Sequence, residues 1–71
     1  MKTKSILSMN IVKYRKANRL TQSQLAERVG VSTQAVSKWE LGICAPDISL
    51  LPELSEIFHI NINDLFEEET L

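Results

Sequence analysis

The segment VSTQAVSKWE (residues 31–40) carries four polar side chains at helical spacing: Thr33, Gln34, Ser37 and Lys38. All four can form hydrogen bonds, and none is acidic. Ser32, just ahead of them, is a residue type that caps helices, and the apolar residues between them fit one buried stripe. Packing a small core does not require this polar set. We therefore interpret it as a face that contacts a partner through hydrogen bonds.

Catalytic chemistry is not indicated by the remaining reactive residues. The chain has one histidine, His59, and one cysteine, Cys44. Neither has a partner at the spacing of a nucleophile–base pair or a metal site, so we predict no enzyme activity, no metal and no cofactor. We interpret His59 as a helix-end residue rather than a ligand or pH switch, and Cys44 as a small loop hydrophobe rather than a redox sensor.

Length and composition limit the chain to one small domain. It has 71 residues, of which 44% are hydrophobic, as is ordinary for a globular protein. No apolar run approaches the length of a membrane span or a secretory signal. A single cysteine cannot form an internal disulfide, so the domain must be stabilised by its core alone. These features fit a protein of a reducing cytoplasm.

Charge is divided sharply along the chain. Residues 1–38 hold all eight lysines and arginines and one acid, a net charge of +7, whereas residues 39–71 hold eight acids and neither lysine nor arginine, a net charge of −8. Such a division indicates a basic face for a polyanion and an acidic face turned away from it. The alternative is that both halves are simply solvated surface.

The periodicity and capping residues predict an all-α fold of five helices. We expect helices at about 10–17, 22–29, 33–40, 49–58 and 62–66, within a folded domain of residues 9–66. Residues 1–8 are expected to form a flexible arm, and residues 67–71 an acidic tail. Asn18 and His59 are predicted to take left-handed conformations at helix ends.

Two helix starts depend on particular residues. Thr21 and Gln24 fit a capping box at the start of the second helix, and Gly30 is expected to end that helix with positive φ. In the fourth helix, Ser49 is the preferred cap, with a short 3₁₀ turn allowed before it, since a cap at Asp47 would place the Pro52 ring against the carbonyl of Ile48.

Apolar residues of the fourth helix fall into two groups. Ile48, Leu51, Leu54 and Phe58 form the predicted core stripe. Leu50 and Ile57 lie off that stripe; together with Phe66 they are either additional core or a contact between two copies of the chain.

The second and third helices are separated by very few residues, and their spacing is typical of a helix-turn-helix. Counted from Gln22 as position one, small Ala26 is fifth and Gly30 is ninth, which allows close helix approach and a tight turn. Trp39 is eighteenth, and this position predicts a core residue rather than a base-stacking platform.

The run RKANRLTQSQLAERVGVSTQAVSKWELG…PD…L…LSEIFHINI…L resembles the phage-repressor-like helix-turn-helix family of the Cro/Xre type. The resemblance covers nearly all of residues 11–66. It implies a compact five-helix DNA-binding domain, usually dimeric, that acts in bacterial or phage transcription control. The expected location is therefore the nucleoid in the cytoplasm.

The resemblance also implies roles for individual residues. Gln22 matches a glutamine that holds a DNA phosphate and braces the third helix. Arg15 and Glu40 match a structural ion pair between the first and third helices. The positions implied to face bases are Thr33, Gln34, Ser37 and Lys38. Glutamine can pair with adenine, lysine can reach guanine, and the threonine methyl can contact the thymine methyl.

One loop departs from the family pattern. Many members place lysine or arginine after the third helix, whereas this loop reads LGICA (residues 41–45). Phosphate contacts would then fall to backbone N–H groups and to Lys16, Arg19 and Lys38. Affinity is then expected to be modest or to depend on Lys2 and Lys4 of the arm.

Two functions are consistent with the sequence. The favoured one is sequence-specific binding of double-stranded DNA by a transcriptional regulator, with repression favoured, acting as a homodimer on two half-sites. The alternative is a protein-interaction module, such as an antitoxin or anti-repressor with the same fold. The basic half and the polar face of the third helix favour the first.

Overall fold

The computed structural model of the chain describes residues 5–68, and helices account for most of them. Their bounds are Ile6–Ala17 (α1), Gln22–Val29 (α2), Thr33–Leu41 (α3), Ile48–Leu50 (a 3₁₀ helix, η1), Leu51–Phe58 (α4) and Ile62–Phe66 (a 3₁₀ helix, η2). No strand occurs in this part of the chain. The all-α prediction is confirmed, although the fifth predicted helix is a short 3₁₀ helix rather than an α-helix.

The first helix begins earlier than predicted. Its N-cap is Ser5, whose hydroxyl accepts from the Ser8 N–H at 3.0 Å while the Ser8 hydroxyl donates to the Ser5 carbonyl at 2.8 Å. The predicted start near Asn10 is therefore wrong, because this serine pair caps the chain one turn ahead of the clear apolar periodicity. Of the predicted arm, residues 1–4, including Lys2 and Lys4, lie outside the described residues.

The end of α1 is a Schellman motif displaced by one residue from the prediction. Asn18 has φ −95°, and the left-handed residue is Arg19, with φ 59°. The Leu20 N–H donates to the Arg15 carbonyl at 3.1 Å, and the Arg19 N–H donates to the Lys16 carbonyl at 3.0 Å. Asn18 instead uses its side chain, which donates to the Tyr14 carbonyl at 2.8 Å.

The helix-turn-helix unit forms as its local signals predict. Thr21 accepts from the Gln24 N–H at 3.0 Å, and the Gln24 side chain accepts from the Thr21 N–H at 2.9 Å, which confirms the capping box. Gly30 ends α2 with φ +88°. Ser32 caps α3 by accepting from the Ala35 N–H at 3.1 Å. These three devices fix the direction in which α3 leaves α2.

A short 3₁₀ helix precedes α4, as the sequence allowed, but the start of the α-helix differs from the prediction. Asp47 is the cap, but of η1 rather than of an α-helix, and it accepts from both the backbone and the hydroxyl of Ser49. The hydrogen bond from the Ser49 hydroxyl, and to a lesser extent that from the Ser49 backbone N–H, holds the pKa of Asp47 below its ordinary value. The α-helix then starts at Leu51 rather than Ser49. Pro52 falls in its first turn, where the missing N–H costs no helical hydrogen bond.

The core joins all the helices. Its buried apolar residues are Ile11, Leu20, Leu25, Ala26, Val29, Val36, Trp39, Leu51, Leu54, Phe58 and Leu65. Trp39 is only 4% exposed, as predicted for a core residue. Ile48 was predicted to be core and is 79% exposed, because η1 turns it away from the α4 stripe. Leu50 and Ile57 are half-buried against the core.

A buried amide links the two ends of the fold. Asn10, on α1, donates from Nδ2 to the carbonyl of Leu65 at 2.8 Å and to that of Glu67 at 3.0 Å, with the Asp64 carbonyl 3.4 Å away. Asn10 is buried. This contact holds η2 against α1. Within residues 5–68, no helix has the length and apolar character needed to cross a membrane.

Candidate nucleic-acid interface

The solvent face of α3 brings together the four polar residues that the sequence singled out. Thr33, Gln34 and Lys38 are exposed, and Ser37 is half-buried at the edge of the same face. The opposite face is buried through Val36 and Trp39. Helix α3 therefore presents a face of hydroxyl, amide and ammonium groups to solvent while its other side is fixed in the core.

The far end of α3 is fixed by an ion pair with α1. Arg15 Nε lies 2.6 Å from Glu40 Oε2, and Arg15 Nη2 lies 3.2 Å from Glu40 Oε1. The remaining fork nitrogen, Nη1, donates to the Leu20 carbonyl at 2.8 Å. The two side chains are 13% and 7% exposed, so the pair is largely removed from water. One guanidinium thereby joins α1, the chain leading into α2, and α3.

Gln22 belongs to the same network. Its Nε2 donates to Glu40 Oε1 at 2.9 Å, so the first residue of α2 touches the last turn of α3. This is the bracing contact that the resemblance implied. The amide nitrogen carries a second N–H group, which is the one available to a ligand beside the helix start.

A second contact between α2 and α3 was not anticipated from the sequence. The Ser23 hydroxyl lies 3.2 Å from the Thr33 hydroxyl, and either atom can donate. Both residues are exposed. The available sequence signal was the adjacency of Ser23 to Gln22 at the start of α2. Only the crossing of the two helices reveals which residue Ser23 meets.

The cations predicted to contact phosphates lie next to this unit. Lys16 and Arg19 are both exposed at the end of α1, immediately before α2 begins. Beyond α3 the surface changes character. Leu41, the last residue of α3, is 52% exposed, and in the loop that follows Ile43 is 67% exposed and Cys44 is also exposed. The basic surface thus precedes α2, and an apolar surface follows α3.

Comparison with known proteins identifies the unit. A family model described as helix-turn-helix matches residues 11–65, which contain α2, the turn and α3. The chain belongs to the Cro/C1-type helix-turn-helix family. The exposed polar face described above therefore lies on the second helix of the family's motif.

One relative of this helix-turn-helix protein is a transcriptional activator. The chain is 42% identical over 57 residues to the transcriptional activator BcrR of Enterococcus faecalis, a match that covers 80% of this chain but 28% of BcrR. The chain thus spans little more than a quarter of that relative.

Solved structures share the fold. The solution structure of the SOS-response transcriptional repressor LexA from Eubacterium rectale has a TM-score of 0.86 and 35% identity, covering all of this chain and 76% of that one. The P22 c2 repressor, crystallised with a synthetic operator, has a TM-score of 0.80 and 28% identity, covering 89% of this chain and 96% of that one.

Proposed function

We propose that this helix-turn-helix protein binds double-stranded DNA sequence-specifically as a transcriptional regulator, with α3 in the major groove. The observation that carries the proposal is the exposed polar face of α3, which lacks acidic groups and is backed by a buried face. An α-helix fits the major groove, where base edges present the donors and acceptors that such side chains recognise. The P22 c2 repressor, which shares the fold, was crystallised with operator DNA.

Phosphate contacts are proposed for the surface around the start of α2. Lys16 and Arg19 are exposed there, and Gln22 retains one amide N–H beyond its bond to Glu40. Cations and helix N-termini position a protein on the duplex without reading sequence. We propose repression as the regulatory sign, since two proteins that share the fold across most of their own length are repressors, whereas the match to the activator BcrR covers 28% of that protein. The proposed place of action is the cytoplasmic nucleoid.

The first prediction separates the proposed base contact of Gln34 from the proposed phosphate contact of Lys16. Gln34→Ala should weaken binding to the best site by about 1–3 kcal/mol and flatten the preference at one base pair, because it removes a bidentate base contact. Lys16→Ala should weaken all sequences by a similar factor and reduce the salt slope by about one. The measurement is titration of each variant against matched and single-mismatch duplexes at several salt concentrations.

The double variant is the control, since two independent contacts should give nearly additive losses. If Gln34→Ala weakens every duplex equally and leaves base preference intact, Gln34 does not face bases. Selection of bound sites from random duplex DNA supplies the best site. A parent protein that enriches no sequence would shift the proposal to the protein-interaction module, which the apolar surface of Leu41 and Ile43 favours.

The second prediction concerns assembly. We propose that two copies bind one operator, since one small helix-turn-helix buries too little surface for tight specific binding. Large apolar side chains that remain outside the core support a second copy. Phe66 is 50% exposed, and Ile48 and Ile43 are more exposed still. Of the three residues that the sequence offers for this contact, Leu50 and Ile57 are half-buried against the core, so Phe66 is the strongest candidate.

Selected sites should therefore contain two half-sites whose centres are about one helical turn, or about 34 Å, apart. Sedimentation of the complex should give two chains per duplex. Phe66→Ser should lower affinity for the full site while leaving affinity for an isolated half-site unchanged. A footprint over one unpaired half-site, with one chain per duplex, would contradict the homodimer.

A further inference from the structure

Two neighbouring residues at the start of α2 hold opposite ends of α3. Gln22 donates to Glu40 in the last turn of α3, while the Ser23 hydroxyl pairs with the Thr33 hydroxyl, 3.2 Å away, at its first residue. The Gln22 contact is part of the partly buried network that Glu40 forms with Arg15 and Gln22. The Ser23 contact is solvent-exposed and lies on the surface that the proposed function places against DNA.

The Ser23 contact bears directly on how the Thr33 side chain is oriented. A threonine Cβ carries both a hydroxyl and a methyl, so fixing one of them fixes the other. In helices, threonine divides between two rotamers because its hydroxyl can bond to a carbonyl of the preceding turn. Thr33 is the first residue of α3 and has no preceding helical turn. Its hydroxyl is instead paired with Ser23, which selects one rotamer.

We propose that Ser23 is a positioning residue for base recognition, which keeps the Thr33 hydroxyl on α2 and presents the Thr33 methyl to a thymine methyl. The inference rests on the proposed DNA-binding function. It assigns Thr33 an apolar contact rather than a hydrogen bond to a base. It also makes that contact depend on a residue outside α3. Ser23 itself need not touch DNA.

Replacing thymine by uracil isolates this contact, since it removes one methyl and leaves every hydrogen-bonding group of the base in place. On the site obtained by random-duplex selection, each thymine is replaced in turn and Kd is measured. For the parent, one thymine per half-site should show a loss of about fourfold, the value expected for a methyl-sized group. Ser23→Ala should reduce that loss to nearly onefold, and Ser23→Thr, which retains a hydroxyl, should preserve it.

Variants of Thr33 test whether the effect passes through its hydroxyl. Thr33→Ser keeps the hydroxyl and lacks the methyl, so the uracil effect should disappear. Thr33→Val places a methyl in both positions, so the effect should persist and should no longer require Ser23. The double variant Ser23→Ala/Thr33→Val should therefore show the parent's thymine dependence. A merely structural role for Ser23 would change the melting temperature and leave this pattern unmoved.

Two results would overturn the inference while leaving the proposed function intact. One is an unchanged uracil effect at the same thymine in Ser23→Ala. The other is a parent protein that selects a defined site but shows no thymine whose methyl affects Kd. A parent protein that selects no site at all would instead refute DNA recognition itself, and the inference with it.

Discussion

Replacing Arg15 with alanine is expected to lower the free energy of unfolding by about 3–5 kcal/mol, the range for removing one partner of a buried ion pair. Glu40, whose side chain is 7% exposed, would keep only the amide of Gln22 as a partner. The Leu20 carbonyl would also lose its donor. Chemical denaturation of the variant and the parent measures the difference. Since small domains are stabilised by about 5–15 kcal/mol in total, the variant should be close to its unfolding threshold.

The neighbouring residue supplies a matched control. Lys16→Ala removes a cation of the same helix that is exposed, so its effect on unfolding should stay below about 1 kcal/mol. Arg15→Lys should recover little of the loss, because an ammonium cannot span both Glu40 oxygens and the Leu20 carbonyl. DNA affinity of Arg15→Ala should fall as well, since α3 loses its attachment to α1. If Arg15→Ala melts like the parent, the pair contributes nothing to the fold.

Signals within a few residues of one another predicted their structures well. The Thr21–Gln24 capping box, Gly30 and Ser32 each act over at most three or four residues, and each is in place. Together they define the turn between α2 and α3. This is why the exposed face of α3, and with it the candidate recognition surface, could be identified from the sequence alone.

Predictions failed where two similar residues compete or where contacts come from elsewhere in the chain. Asn18 and Arg19 are adjacent. The left-handed residue is Arg19, because the backbone N–H and the side chain of Asn18 both donate to carbonyls of α1. Ile48 shares the periodicity of α4 but belongs to η1, whose tighter winding turns it to solvent. Ser23 meets Thr33 only through the crossing of two helices, which one-dimensional spacing does not specify.

Asn10 is the clearest case of a role that sequence reading could not supply. The sequence pattern places Asn10 only at the start of the first helix. Its partners are the carbonyls of Asp64, Leu65 and Glu67, which are 54 to 57 residues away. No local pattern connects residues at such a separation. Its burial in the second turn of α1 is the structural fact that identifies it as a tether for η2.

This tether gives the second large prediction. Asn10→Asp is expected to lower the free energy of unfolding at pH 7 by about 3–5 kcal/mol, because a buried carboxylate would face carbonyl oxygens in place of a donor. Asn10→Ala, which removes the donor without adding a charge, should cost about 1–3 kcal/mol. Amide hydrogen exchange should show which element is released. Relative to the parent, exchange in the variants should be accelerated more across η2 than across α2 and α3.

The pH dependence separates charge from the loss of the donor. Burial against carbonyl oxygens should raise the pKa of the introduced carboxyl in the folded state above its unfolded value of about 4. The free energy of unfolding therefore begins to fall only when pH rises above the unfolded-state pKa. The loss is complete above the raised folded-state pKa. Asn10→Asp should therefore match or exceed Asn10→Ala in stability below about pH 4 and fall behind it by neutral pH. Because all acids native to the chain are common to both variants, their titration cancels in this comparison. Equal stability of the two variants at every pH would mean that the side chain of residue 10 lies in water and does not hold η2 against α1.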